Sequence, residues 1–160
     1  MKNLNTVTEK IIHTLAAQQQ TITFAESCTG GRIAAQFTAI SGASAILNGA
    51  CITYSNEIKH RWLGVSHEVL KQYGAVSEAC VSQMLEGAAK IAEADVAIAV
   101  SGIAGPTGGT PDKPVGTVYI GILTPKVKEI YHCHFKGDRE VIQQQSVQFA
   151  IETLGKILKI

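Results

Sequence analysis

The stretch Thr21-Ile22-Thr23-Phe24-Ala25-Glu26-Ser27-Cys28-Thr29-Gly30-Gly31 decides how the rest of the chain is read. Thr21 to Ala25 is β-branched or aromatic at four of five positions and reads as a strand, with Ile22 and Phe24 on one face. Gly30-Gly31 ends that pattern. A helix starts there, and Ile33, Phe37 and Ile40 carry its buried face. A strand is therefore handed to a helix across a short turn that holds a serine, a cysteine and two glycines.

Working outward, the preceding segment reads as a helix from Asn5 to Gln19, because Val7, Ile11 and Leu15 recur every four residues. Downstream, Ser41-Gly42 stops the second helix and Ala50 to Tyr54 reads as a second strand. Ser55 caps a short helix from Asn56 to Leu63. Another short helix runs near His67 to Tyr73, ended by Gly74. Ser77 caps a longer one reaching about Ala94, with Val81, Met84, Leu85, Ala88 and Ile91 on one face. Asp95 to Ser101 is almost wholly apolar, as expected of a strand covered on both faces. Gly116 to Leu123 and Glu129 to Phe135 read as two consecutive strands. Asp138 caps a last helix, whose apolar face is Val147, Ala150, Ile151, Leu154 and Leu158. Helices alternate with strands, and then two strands run together. The expected fold is α/β, one domain spanning residues 1–160, with a mixed sheet between helices.

The bulk composition agrees. A chain of 160 residues fits one domain, and such a domain buries about 70% of its unfolded surface. It needs neither disulfides nor a structural metal. Charged residues make up only 17% and the net charge is +1. The low charge points to surface covered in a homo-oligomer, and the scattered basic residues give no footprint for nucleic acid. The longest apolar run, near Val96 to Val100, is far too short to span a bilayer. The start, Met1-Lys2-Asn3-Leu4-Asn5, shows no apolar leader segment. Cys28, Cys51, Cys80 and Cys133 are widely spaced and read as reduced thiols of a cytoplasmic protein.

Three places can carry chemistry. In the first, Ser27 could attack a carbonyl while the N–H groups of Thr29, Gly30 and Gly31 receive the oxyanion. The same spacing also suits a plain strand-to-helix turn with a serine cap. In the second, Tyr54 and Lys59 could face the same sheet mouth. A lysine activates a serine only when neutral, and burial lowers its pKa. From spacing alone, an exposed helix lysine and a half-buried tyrosine are the more ordinary reading. The third is Ser101 to Thr110, where Gly102, Gly105, Thr107, Gly108 and Gly109 could wrap a phosphate. It lacks the Gly-Lys-Ser/Thr of a Walker loop, and a flexible surface connection is the other reading. Five of the 15 glycines and three of the four prolines fall within residues 102–116. Arg139 could clamp a phosphate or be a solvated first-turn residue. His132 and His134 share a strand face without a companion ligand, so no metal site is expected.

These segments together resemble the family of the C-terminal domain of the competence/damage-inducible protein CinA. The matching stretches are AESCTGG at 25–31, ITYSNEIK at 52–59, GAVSE at 74–78, SGIAGPTGG at 101–109, KPVGTVY at 113–119 and Gly137-Asp138-Arg139. They follow the family's order and span nearly the whole chain. The enzymatic members of that family are nicotinamide mononucleotide deamidases. The resemblance implies an α/β/α sandwich in the stand-alone form of the domain and a small nucleotide substrate. It implies hydrolysis of the nicotinamide carboxamide with no metal or organic cofactor. It maps the family's Ser, Tyr and Lys onto Ser27, Tyr54 and Lys59. The expected mechanism is acyl transfer through Ser27, with Lys59 taking the proton directly or through Tyr54. Two rivals stay open: Cys28 as nucleophile, and a non-catalytic nucleotide-binding or regulatory module of the same fold.

Overall fold

Val96-Ala97-Ile98-Ala99-Val100 is apolar at every position because both of its faces are covered. Val96, Ile98 and Val100 belong to one core cluster, whereas Ala97 and Ala99 belong to another on the opposite side. In a computed structural model describing residues 3–160, this segment lies in the middle strand of a five-stranded sheet. The reading of the N-terminus as free of an apolar leader includes Met1 and Lys2, which lie outside the described residues.

The elements follow in the order α1 (Leu4–Ala17), β1 (Ile22–Glu26), α2 (Arg32–Thr38), a 3-10 turn at Ala43–Ala45, β2 (Cys51–Ile52), α3 (Asn56–Leu63), α4 (His67–Tyr73), α5 (Glu78–Ala92), β3 (Val96–Gly102), β4 (Thr117–Leu123), β5 (Lys128–His134) and α6 (Arg139–Ile157). The sheet order is β2-β1-β3-β4-β5. The first three strands are parallel and the last two pairings are antiparallel, so the sheet is mixed. Helices α1, α2 and α6 cover one face, and α5, with α3 and α4 against it, covers the other.

The topology gathers the three motifs at one edge. Strands β1 and β3 run together with Glu26 opposite Val100, so both end at the same side. Strand β4 starts there, with Val118 opposite Gly102. Strand β5 returns there, with His134 opposite Thr117, and α6 begins directly beyond it.

Most element boundaries lie close to the sequence reading, and the expected caps form. The side chains of Ser55, Ser77 and Asp138 accept from the N–H groups of Ile58, Cys80 and Val141. Three details differ. Helix α2 begins at Arg32 rather than at Gly30-Gly31, because both glycines have positive φ (59° and 98°) and belong to the turn. Strand β2 pairs over two residues only: it is an edge strand, and the Ser55 cap turns the chain into α3 at once. Ile91 is 58% exposed. It lies only about 20° around the helix from the buried Met84 but two turns further on, at the C-terminal end of α5, past the part of the stripe that packs on the sheet.

Helix α3 lies unusually close to α5. A Cβ on Gly87 would stand 1.8 Å from the carbonyl oxygen of Leu63, the last residue of α3. Gly87→Ala is therefore expected to force α3 away and to destabilise the fold by about 1–3 kcal/mol, even though alanine favours helices. Urea denaturation measures this, and an unchanged midpoint would contradict the close approach.

Candidate active site

Ser27 continues the line of β1. Its N–H donates to the Val100 carbonyl at 3.1 Å, so the strand-to-strand ladder still holds it. The chain then turns tightly, and the Gly30 N–H donates to the Ser27 carbonyl at 3.0 Å. Glu26 locks this turn from beneath. Its buried carboxylate accepts from Thr29 Oγ1 at 2.6 Å and from the N–H groups of Ile33 and Ala34 at 3.0 Å. A negative group at the N-terminus of α2 satisfies two orphan donors and matches the helix dipole. No spacing rule marks Glu26, because the helix is capped here by a residue of the preceding strand.

Lys59 reaches the same point from α3. It is 1% exposed. Its Nζ lies 3.2 Å from Ser27 Oγ and donates to the Tyr54 carbonyl at 2.9 Å. Burial pushes the Lys59 amine below the ordinary lysine value, against a smaller upward pull from the Cys80 and Cys28 thiols. The exposed-lysine reading of this residue is thus excluded. Tyr54 is 59% exposed, and its hydroxyl accepts from Arg139 Nη2 at 2.9 Å. The tyrosine therefore meets Lys59 through its backbone, while its phenol faces Arg139.

Arg139 ties the edge together, because its Nη1 also donates to the Gly105 carbonyl at 2.7 Å. An open cleft of about 210 Å³ lies here, lined by Cys28, Tyr54, Gly102, Ile103, Ala104, Gly105, Thr107, Gly108 and Arg139. It thus contains Arg139 and four of the five loop residues singled out in sequence. Gly109 is outside it and packs under Val115, whose backbone nitrogen would lie 2.8 Å from an added Cβ. Thr29, Gly30 and Gly31 are also outside the cleft lining and form the turn behind Cys28.

Sequence reading missed Gln143. Its buried side chain donates from Nε2 to the Cys28 carbonyl at 2.9 Å. The available signal was spacing: residue 143 lies one helical turn after Arg139, on the same face, and is a polar group among the buried Ile142, Ser146 and Val147.

Cys28 is buried, and burial pushes its thiol up to about 11, so it is held as the protonated, weakly nucleophilic form. His132 stacks on Tyr119 with centroids 4.5 Å apart. Among the described residues no group of three His, Cys, Asp or Glu side chains is placed to hold a metal ion, and no helix is long and apolar enough to cross a membrane.

Residues 4–158 match the family model of the CinA C-terminal domain. The chain belongs to that family. It is 45% identical over 151 residues to a CinA-like protein of Thermotoga neapolitana, covering 94% of this chain but only 37% of that relative. It is also 45% identical over 149 residues to the nicotinamide-nucleotide amidohydrolase PncC of Escherichia coli, covering 92% of this chain and 90% of that one. Among solved structures, a competence-damaged protein (CinA) superfamily protein of Klebsiella pneumoniae superposes with a TM-score of 0.93 at 39% identity, with 99% of each chain covered. The mixed α/β sandwich is thus the fold of this family.

The burial of the thiols gives a direct test. Native protein treated with iodoacetamide near pH 8 should keep Cys28 and Cys80 unmodified, since burial pushes both up to about 11, while the urea-unfolded chain reacts at all its cysteines. Peptide mass mapping reads the outcome. Alkylation of native Cys28 as fast as in the unfolded chain would restore it as a candidate nucleophile.

Proposed function

We propose that the chain hydrolyses the carboxamide of nicotinamide mononucleotide to nicotinic acid mononucleotide and ammonia, with Ser27 as nucleophile and Lys59 as base. The observation that carries this reading is the Lys59 Nζ to Ser27 Oγ approach of 3.2 Å, made by an amine buried to 1% exposure. The substrate comes from the name of the Escherichia coli relative, which the chain matches over nearly its whole length.

In this reading neutral Lys59 takes the Ser27 proton as Oγ attacks the carboxamide carbon. The carbonyl oxygen becomes an oxyanion and is received by backbone N–H groups of the turn. The Gly30 N–H is already held by the Ser27 carbonyl, so its neighbour Thr29 is the better donor. Collapse of the intermediate breaks the C–N bond, and Lys59 returns its proton to the departing ammonia. Water then attacks the acyl-serine carbon as Lys59 takes one of its protons. Collapse breaks the bond from that carbon to Ser27 Oγ, Lys59 hands the proton back to Oγ, and the acid leaves with both Lys59 and Ser27 restored. Tyr54 holds the lysine through its carbonyl, and its hydroxyl and Arg139 border the cleft where the nucleotide would lie. A pure binding module gives no reason to bury an amine against a serine hydroxyl, since burial penalises its charged form. Four free thiols support a reducing, cytoplasmic setting, and the low charge content supports self-association.

Ser27→Ala should abolish ammonia release, by several orders of magnitude in rate, without loss of the fold. For wild type, kcat/KM should rise with pH as Lys59 loses its proton, at a midpoint below the roughly 10.4 of free lysine. Lys59→Arg stays protonated and should cost nearly as much as Lys59→Ala. An arginine variant running at close to wild-type rate would sink the base assignment.

A phosphate on the substrate should matter too. Arg139 and the glycine loop line one cleft, and binding energy from a remote group can appear in the rate. The mononucleotide should be hydrolysed much faster than its riboside, and Arg139→Ala should narrow that ratio. Equal turnover of the two in wild type would argue against phosphate binding here.

A further inference from the structure

The turn that carries Ser27 is held at three successive carbonyls, those of Ser27, Cys28 and Thr29. The Ser27 carbonyl accepts from the Gly30 N–H, and the Thr29 carbonyl accepts from Arg32 N at 3.1 Å and Arg32 Nη1 at 3.1 Å. The carbonyl between them, on Cys28, is held by Gln143, a residue of α6 lying 115 positions along the chain. That contact is buried. Gln143 and Cys28 are each less than a tenth exposed, so water does not readily replace the amide when it is removed.

The peptide linking Cys28 to Thr29 is trans, since the one cis bond among the described residues is Gly105-Pro106. In a trans peptide the C=O and the following N–H point in opposite directions. Fixing the Cys28 carbonyl on Gln143 therefore fixes the Thr29 N–H to point away from α6. Helix α6 covers one face of the sheet, and Lys59 comes from α3, which packs with α5 on the other. The side away from Gln143 is the side from which Lys59 reaches Ser27 Oγ.

We propose that Gln143 is a positioning residue for the reaction: by holding the Cys28 carbonyl it aims the Thr29 N–H at the oxyanion formed when Ser27 attacks. The proposal rests on Ser27 acting as nucleophile. Gln143 touches no reacting atom and acts through one peptide plane. Its loss leaves that plane free to rotate, so the donor must be oriented during the reaction rather than before it. Removing an oxyanion donor outright costs about 100- to 1000-fold in rate, so misaiming one should cost part of that.

The test uses Gln143→Met, which keeps the length and removes the donor, and Gln143→Glu, which sets a carboxylate against the Cys28 carbonyl. Gln144→Met, on the exposed side of the same helical turn, is the control. Two rates are measured for each: ammonia release from nicotinamide mononucleotide, and phosphonylation of Ser27 by an aryl fluorophosphonate, followed by intact mass. The expected result is a fall of about 10-fold or more in kcat and in labelling for Gln143→Met, with KM within about twofold. The fall should be larger for Gln143→Glu and absent for Gln144→Met. Melting temperatures check that the variants are folded at the assay temperature. Should Gln143→Met prove unfolded there, Gln143→Glu is judged by the same two rates, and Gln143→Leu replaces Met. A folded variant with wild-type kcat and labelling overturns the inference, as does a change in KM alone. A wild type that labels at Ser27 but releases no ammonia overturns the proposed substrate, and the labelling rates still decide the role of Gln143. A wild type that does neither overturns both.

Discussion

A lysine amine buried against a serine hydroxyl is the constraint on which the rest of the site depends. Removing an ammonium from water is costly, and the protein answers by lowering its pKa rather than by pairing it with a carboxylate. The neighbours of Lys59 Nζ are a hydroxyl and a backbone carbonyl, neither of which carries charge. An acidic partner would instead favour the charged form of the amine. The one buried carboxylate nearby, Glu26, is occupied elsewhere by Thr29 and two helix N–H groups. The same turn thus needs a carboxylate to hold its backbone and needs it kept away from the amine. The strand achieves this by pleating, with Glu26 and Ser27 on opposite faces.

Placing that amine takes several local devices. Helix α3 is only eight residues long and is fixed at both ends, by the Ser55 side chain and by Gly64 in the left-handed region at φ 72°. Short helices are marginal alone, so α3 relies on its contact with α5, where Gly87 allows its last carbonyl to come close. The parallel pairing of β1 with β3 sets the height of Ser27, and the return of β5 brings Arg139 to the same edge. Arg139 then bridges Tyr54 and Gly105, joining the loop after β2 to the loop after β3. Helix α6 holds three segments with two side chains one turn apart.

Much of this was legible in the sequence because it is local. The apolar run of β3, the serine caps of α3 and α5, the aspartate cap of α6 and the periodic faces of α1 and α6 all follow from residues a few positions apart. The candidate residues Ser27, Lys59, Tyr54 and Arg139 were legible from their blocks, and the fold brings them to one edge. What escaped is set by distant contacts. The end of the α5 stripe at Ile91 depends on where the sheet stops. The two-residue length of β2 depends on its edge position. Glu26 and Gln143 bind partners that no periodicity connects to them, and the direction of the Tyr54 phenol depends on an arginine 85 residues away.

Register decides whether oxygen or sulfur meets Lys59. Ser27 and Cys28 are adjacent, so a chain leaving a strand sends their side chains to different surroundings. Cys28 enters the core cluster beneath α6, where burial keeps it a thiol, and Ser27 meets the amine. A slip of one residue in β1 would exchange them. Two features forbid that slip. The Ser27 N–H is bonded to the Val100 carbonyl, extending a five-residue ladder between β1 and β3. Phe24 and Ile22, fully buried on the α1 and α6 side, would have to change places with Ala25 and Thr23 on the side where α5 lies close. Large side chains cannot enter that narrower space without separating the layers. The packing that makes the sheet stable is therefore also what presents a hydroxyl, and not a thiol, to Lys59.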